Sequence, residues 1–154
     1  MRIRHERLLV EHEDGFSLIE LMTVVLIIAL MIAIALPTYL GARTRAADKA
    51  IQTDMRTGLA AALAYYSETA NWDGFDATQA RDEEPRLAWV NGGAPARGEI
   101  SIHVHSGQTL LLVGLSSSRT YFCLAQVPTS PATDTGHGDL FTDVDTIAEC
   151  TNGW

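Results

Sequence analysis

Two histidines stand two residues apart, at positions 103 and 105, within a run that alternates apolar and polar residues. Side chains two apart point to the same face of a strand, so this pair could ligate a metal ion. An exposed polar face explains the same spacing, and it is the interpretation that we favour. The chain shows no glycine-rich phosphate loop and no serine nucleophile elbow. We therefore predict no enzyme activity, no catalytic residue and no cofactor.

Acidic residues are concentrated near the end of the chain, at Asp134, Asp139, Asp143 and Asp145. Carboxylates in a loop can hold calcium, but these do not have the spacing of an EF-hand. A solvated acidic loop is the favoured interpretation. We predict no metal site, and we name Asp139, Asp143 and Asp145 as the candidates if calcium binds.

Cys123 and Cys150 are the two cysteines of the chain, and they can form one disulfide or stand as two unrelated buried thiols. If they are joined, they close a loop of about 27 residues, which stabilises the fold by roughly 3–4 kcal/mol in the loop-entropy model. Such a bond requires an oxidising compartment, which would place this part of the chain outside the cytoplasm.

Glu20 is the one ionisable residue in the apolar run from Phe16 to Leu36. At about 1.5 Å per residue, a helix over this run would be roughly 31 Å long, which matches the hydrocarbon core of a bilayer. The run is longer than the apolar part of a secretory signal peptide. We therefore predict a membrane-spanning helix, and Pro37 closes the span by kinking or breaking it.

The segment after the span predicts a continuation of the helix. Residues 38–70 are rich in helix-forming residues, and they carry an apolar stripe at helical spacing: Leu40, Ala47, Ile51, Met55, Leu59, Ala62 and Tyr66. We predict one helix from Phe16 to about Thr69 that lies with its second half on a small domain. A coiled-coil dimer is the alternative, but the stripe lacks the sustained flanking charge pairs of a coiled coil.

The remainder of the chain predicts a small sheet. Residues 75–97 show no clear periodicity and indicate a surface connection, which can include a short strand at Leu87–Val90. Three strand-like runs follow: Ile100–His105, Thr109–Leu115 and Thr120–Val127. The predicted fold class is α+β, in which a long N-terminal helix packs on a small antiparallel sheet of three to four strands.

Charge argues against direct binding of nucleic acid. The chain has 11 basic and 19 acidic residues, for a formal net charge of −8. Residues 57–154 hold four arginines against twelve acidic residues, so this part of the chain would repel a phosphate backbone. Hydrophobic residues make up 47% and charged residues 19% of the chain, which argues against wholesale disorder.

The segment Gly15-Phe16-Ser17-Leu18-Ile19-Glu20-Leu21 closely resembles the cleavage and methylation signal of type IV prepilins and pseudopilins. In that family a membrane-embedded peptidase cuts after the glycine on the cytoplasmic side and methylates the new amine, which here would belong to Phe16. The apolar helix stays in the mature protein. The resemblance covers about residues 15–60 and rests on the glycine, the aromatic residue, the glutamate at the fifth position after the cut and the uninterrupted span.

The resemblance implies a role for Glu20. Its carboxylate would pair with the Phe16 amine of a neighbouring subunit, neutralise both charges in an apolar filament core and help to fix the axial register. The alternative is an acid tolerated at the membrane interface. The resemblance also implies a carboxy-terminal disulfide loop closed by Cys123 and Cys150, and a helix that can melt around Pro37. Calcium at the acidic loop would resemble some major pseudopilins.

The implied organisation has four parts. Residues 1–15 are a cytoplasmic leader that is removed, 16–36 are the transmembrane and polymerisation helix, 37–70 are its amphipathic half, and 71–154 are an extracytoplasmic head. The implied function is a structural subunit of a type IV pilus-like filament. Its partners would be copies of itself, other pilins, prepilin peptidase and the membrane assembly machinery.

The implied location changes with assembly. Before assembly the subunit would be a single-pass membrane protein, and afterwards part of a filament at the cell surface or in the periplasm. One alternative is a pseudopilin of a type II secretion or competence system. The other is a signal-anchored extracytoplasmic binding domain, which would need only the membrane anchor and not Gly15.

Overall fold

A computed structural model describes residues 15–128 and 133–154. Apart from Gly15, the predicted leader lies outside these residues. The chain divides into two compact units, one ending at Leu40 and one running from Gly41 to Trp154. We describe each unit separately.

The longest element is helix α1, which runs from Leu18 to Thr69 and contains Pro37. The predicted single helix from Phe16 to about Thr69 is therefore confirmed, and the proline does not end it. In the first unit every residue from Phe16 to Leu40 is exposed, although most of these side chains are apolar. Among the described residues, α1 is the one helix long and apolar enough to cross a membrane, with a mean hydropathy of 2.8 in its most apolar stretch.

The second unit contains a five-stranded sheet in the order β1-β2-β3-β4-β5. The first two strands pair in parallel, and the remaining neighbours pair antiparallel. The strands are Ala88–Asn91, Glu99–Ser106, Thr109–Leu115, Tyr121–Gln126 and Thr133–Gly138. The three predicted strand runs and the short strand near residues 87–90 are confirmed, as is the α+β class.

The expected count of three to four strands is wrong, because β5 adds a fifth. Its sequence, TDTGHG, has no apolar alternation, and its ladder of hydrogen bonds to β4 supplies the pairing instead. Gly136 is also required there by close packing, since an added Cβ would come within 2.9 Å of the Cys123 sulfur.

The connection between α1 and β1 is more ordered than predicted, because it contains helix α2 from Ala77 to Glu83. Asp76 is its N-cap, and its side chain accepts hydrogen bonds from the backbone N–H groups of Thr78 and Gln79. Ala77 and Ala80 are buried, so the short helix is held by packing as well as by its cap.

The sheet packs on both faces. One face lies against α1, where Ile51, Met55 and Ala62 are buried with residues from the sheet and the connections: Trp72, Trp89, Ile100, Leu110, Leu112 and Phe122. The predicted stripe therefore contacts the sheet from Ile51 onwards, whereas Leu40 is 51% exposed. The other face is covered by the C-terminal segment through Val144 and Cys150.

Both outer edges of the sheet are covered by chain from outside the strands. Along β5, the backbone N–H of Gly153 donates to the Thr135 carbonyl at 2.8 Å, and Asn152 bonds both the N–H and the carbonyl of His137 at 2.8 and 3.0 Å. Along β1, the Arg81 guanidinium of α2 donates to the Trp89 carbonyl. The edges are therefore capped rather than open.

Candidate processing and assembly site

The residues of the predicted cleavage site lie just before α1. Gly15, Phe16 and Ser17 are outside the helix, and the Phe16 side chain is 84% exposed. Among the residues that the structure describes, apart from the chain neighbours of Gly15, none has an atom within 4 Å of the position that a Cβ on Gly15 would occupy. The Gly15–Phe16 peptide bond is thus in non-helical, accessible backbone, as a peptidase substrate must be.

Glu20 lies in the first turn of α1, where its Oε2 atom accepts a hydrogen bond of 3.4 Å from the Ser17 backbone N–H. A carboxylate here faces the partial positive charge of the helix N-terminus, which is favourable in any apolar surroundings. The side chain is exposed and four residues from Phe16. Its hydrogen-bonding capacity is not used up by this one long bond, and it remains accessible to a cation from another molecule.

The structure joins Cys123 and Cys150 in a disulfide with a Cα–Cα distance of 5.8 Å. Both cysteines are fully buried, so the bond ties strand β4 to the segment that covers the second face of the sheet. The disulfide therefore cross-links the C-terminal segment of the second unit to its sheet.

Trp154 anchors the same segment on the opposite face, and the sequence analysis did not single it out. Its indole Nε1 donates to the Cys123 carbonyl at 2.8 Å, and its ring meets Phe122 edge-on. The Arg56 guanidinium lies 4.8 Å from the centre of the ring, in a cation–π contact with α1. A lone tryptophan without periodic neighbours gives no signal in sequence, so only the fold reveals this anchor.

The three aspartates named as calcium candidates do not form one ligand group. Asp143 Oδ2 accepts from the Leu140 backbone N–H at 2.9 Å, which uses it to cap a short turn, while the charge of Asp145 acts on His103. Asp139 borders a different cavity, beside α1. Within the described residues, no group of three or more His, Cys, Asp or Glu side chains is placed to hold a metal ion.

The two predicted histidines do share one face of β2, with their rings stacked at 6.5 Å. His103 is half-buried behind Phe141, and its Nε2 lies 2.9 Å from the buried Ser101 hydroxyl. Burial lowers the pKa of His103, and the neighbouring His105 lowers it further; a hydrogen bond to the Gly93 backbone and the charge of Asp145 act in the opposite direction.

A serine next to a histidine invites comparison with a nucleophile and its base. The Ser101 hydroxyl donates to the Gly93 carbonyl at 2.8 Å, and it lies 2.9 Å from His103 Nε2. Ser101 and His103 thereby link Gly93, in the loop before β2, to the strand.

Comparison with protein families gives a match at the start of the chain. The family described as the prokaryotic N-terminal methylation motif matches residues 12–36, which include Gly15, Phe16 and Glu20. No curated protein and no solved structure matches the chain. The chain thus carries the processing signal of type IV prepilins and pseudopilins, which supports a type IV pilin-like or pseudopilin protein.

Proposed function

We propose that this chain is a structural subunit of a type IV pilus-like filament. Prepilin peptidase removes the leader after Gly15 and methylates the amine of Phe16, and the apolar helix then assembles with the helices of other subunits. The observation that carries the proposal is the methylation motif at residues 12–36, which overlaps helix α1, together with the exposure of every residue from Leu18 to Leu36 in that helix.

Exposed apolar surface on this scale requires a cover. Before assembly the lipid bilayer covers the helix, and the length of the apolar run suits a single span. After extraction from the membrane, neighbouring helices replace the lipid, and close packing among them stabilises the fibre. The chain would accordingly be a single-pass membrane protein first and part of a surface or periplasmic filament afterwards.

Glu20 supplies the polar element of this assembly. A carboxylate in an apolar filament core is costly unless it meets a cation, and cleavage creates one at the Phe16 amine of each neighbouring copy. Because the carboxylate is accessible and makes one long hydrogen bond, it is free to change partner on assembly. Pro37, which α1 accommodates here, is the place where the helix can loosen if packing demands it.

The second unit is the extracytoplasmic head. Its disulfide requires an oxidising compartment, which agrees with export of everything after the span. The partners that follow are other copies of the chain, other pilins, prepilin peptidase and the assembly machinery of the membrane. No enzyme activity, cofactor or metal enters this proposal.

Mass spectrometry of the N-terminus tests the proposal. The protein would be taken separately from sheared surface fibres and from membranes of the native cell. A methylated Phe16 in the sheared fraction supports a pilus subunit. The same start confined to the envelope would instead indicate a pseudopilin of a secretion or competence system, and an intact Met1 in both fractions would leave only a signal-anchored domain.

A further inference from the structure

The second unit has a basic side on α1, formed by Arg45, Lys49 and Arg56. These residues are four and seven positions apart, so at 3.6 residues per turn they lie on one face of the helix. The cavity beside Arg45 and Lys49 has a volume of about 410 Å³ and is also lined by Phe122, His137 and Trp154. We call the three cations the basic flank; it lies on the β4–β5 side of the sheet.

The cations of the basic flank are only lightly engaged within the chain. Lys49 donates to the buried Gln52 side chain at 2.8 Å, and Arg56 lies over Trp154. Two carboxylates also border the cavity, and one of them, Asp48, accepts a hydrogen bond from Ser118. Among the described residues, the only ion pair is elsewhere, between Glu84 and Arg86.

The opposite side of the helix carries Arg43 and, three turns later, Asp54. Asp54 is nine positions from Arg45, which places it half a turn away around the helix axis. It lines a cavity of about 400 Å³ together with Glu84, Arg86 and Ala88, on the β1 side of the sheet. Asp82 and Glu83, both exposed, belong to α2, which packs beside β1. We call Asp54, Asp82, Glu83 and Glu84 the acidic flank.

Within residues 15–128 and 133–154, Asp54 makes no ion pair. Burial raises its pKa above the ordinary aspartate value. Arg86 lines the same cavity, but its side chain is engaged by Glu84 at 2.9 Å. A cation brought by another molecule would therefore be bound favourably here.

We infer that the basic flank of one copy docks on the acidic flank of the next copy. This inference rests on the proposed function and names the surfaces through which the heads meet. The argument is charge complementarity: after removal of residues 1–15 the chain keeps 8 basic and 15 acidic residues, a formal side-chain charge of −7, and such copies repel each other unless opposite patches face each other.

The placement of the flanks also sets the symmetry of the contact. Sheet order puts β1 and β5 at opposite edges, so the two flanks are on different sides of the unit. Different surfaces cannot match through a twofold axis. They join head to tail, and such a contact repeats into a ring or an open helical array instead of closing as a dimer.

Charge reversal in the full chain, expressed in the native cell, tests the inference. Reversing the basic flank with Arg45→Glu and Lys49→Glu should lower the yield of sheared fibre by about tenfold or more. Reversing the acidic flank with Asp82→Lys and Glu83→Lys should do the same. All four changes in one chain should restore the yield, because each copy then presents both reversed flanks.

Matched variants separate charge from folding. Arg45→Lys with Lys49→Arg keeps both charges and should assemble like the wild type. Each variant is also checked for its disulfide by thiol labelling and for a methylated Phe16 by mass spectrometry. If the wild type assembles and the reversed variants, correctly folded and processed, assemble equally well, the pairing of flanks is wrong while the filament proposal stands. If processed wild-type chain forms no fibre, both are wrong.

Cross-linking distinguishes head-to-tail from twofold contact. Lys49→Cys and Glu83→Cys together should give a ladder of covalent multimers when fibres are treated with a short bismaleimide. Either cysteine alone should give monomers. Dimers from one of the single variants would overturn the head-to-tail pairing, because they require like flanks to face each other.

Discussion

The indole ring of Trp89 lies against the backbone of Gly58, so closely that a Cβ on the glycine would come within 2.6 Å of the ring's Cη2 atom. Trp89 is 1% exposed and belongs to β1, while Gly58 lies in the middle of α1. This contact sets how near the helix approaches the sheet in the second unit. Glycine in a helix interior normally costs stability, so here packing outweighs helix propensity.

Gly58→Ala should therefore destabilise the second unit. Overpacking against the ring costs about 1–3 kcal/mol, and the gain in helix propensity returns about 1 kcal/mol at most, so we expect a net loss of up to roughly 2 kcal/mol. Urea unfolding of the full chain in detergent, followed by tryptophan fluorescence, measures it. Gly41→Ala is the control, because its nearest neighbour would be the tip of Arg45 at 3.8 Å. A stabilised Gly58→Ala variant would contradict this account of the contact.

Removing the disulfide should lower the free energy of unfolding by about 3–4 kcal/mol, as the loop-entropy model gives for a separation of 27 residues. The change is Cys123→Ser with Cys150→Ser, which leaves no unpaired thiol. The same urea experiment measures the loss, and reduction of the wild type should reproduce it. Equal stability of oxidised and reduced wild type would show that the segment is held by packing, including that of Trp154, and not by the bond.

His103 should make the second unit less stable in mild acid. Its pKa is lowered in the folded chain, so the unfolded chain binds more protons as the pH falls below the ordinary histidine value of about 6.5. Its contribution is full above that value and is lost as the pH drops through the lower folded pKa. Unfolding in urea at about pH 7.5 and about pH 5.5 should show this slope, and His103→Gln should flatten it. An unchanged slope would mean that other groups cause the pH dependence.

Glu20→Gln should block assembly without blocking processing. The variant keeps the size of the side chain but leaves the Phe16 amine without a carboxylate in the apolar core, and we expect the fibre yield to fall by about tenfold or more. Mass spectrometry should still find methylated Phe16. Gly15→Val is the contrasting variant, since it should retain the leader. Wild-type fibre yield from Glu20→Gln would exclude the proposed pairing.

The sequence predicted those parts of the fold whose residues show a clear local pattern, such as a run or a stripe of apolar side chains. Strand β3 was predicted with its observed bounds, Thr109–Leu115, because it is buried on both faces and therefore continuously apolar. The end of α1 at Thr69 was predicted because Asn71-Trp72-Asp73-Gly74, which follows it, is a sequence typical of a helix stop. Strand β5 was not predicted, because it is held by hydrogen bonds to β4 and by close packing at Gly136. Neither feature produces a periodic pattern of apolar residues in the sequence.

The candidate site, like the fold, has a part that the sequence predicted and a part that it did not. The cleavage signal could be recognised because it is a contiguous motif, with Gly15, Phe16 and Glu20 at fixed spacing. The flanks of the second unit could not, since Asp54 and Glu84 are thirty positions apart and meet only when α1 lies on the sheet. A count of charged residues reveals the excess of acidic residues. It does not show that the basic flank and the acidic flank lie on different sides of the second unit.

The capped edges of the sheet have a further consequence for the proposed filament, in which copies of the chain would be highly concentrated. An open edge strand offers unpaired backbone groups that recruit strands from other chains and seed cross-β aggregates. Here Asn152 and Gly153 occupy the outer side of β5, and Arg81 occupies that of β1. Copies of the chain brought close together are thereby protected from pairing through the edges of their sheets.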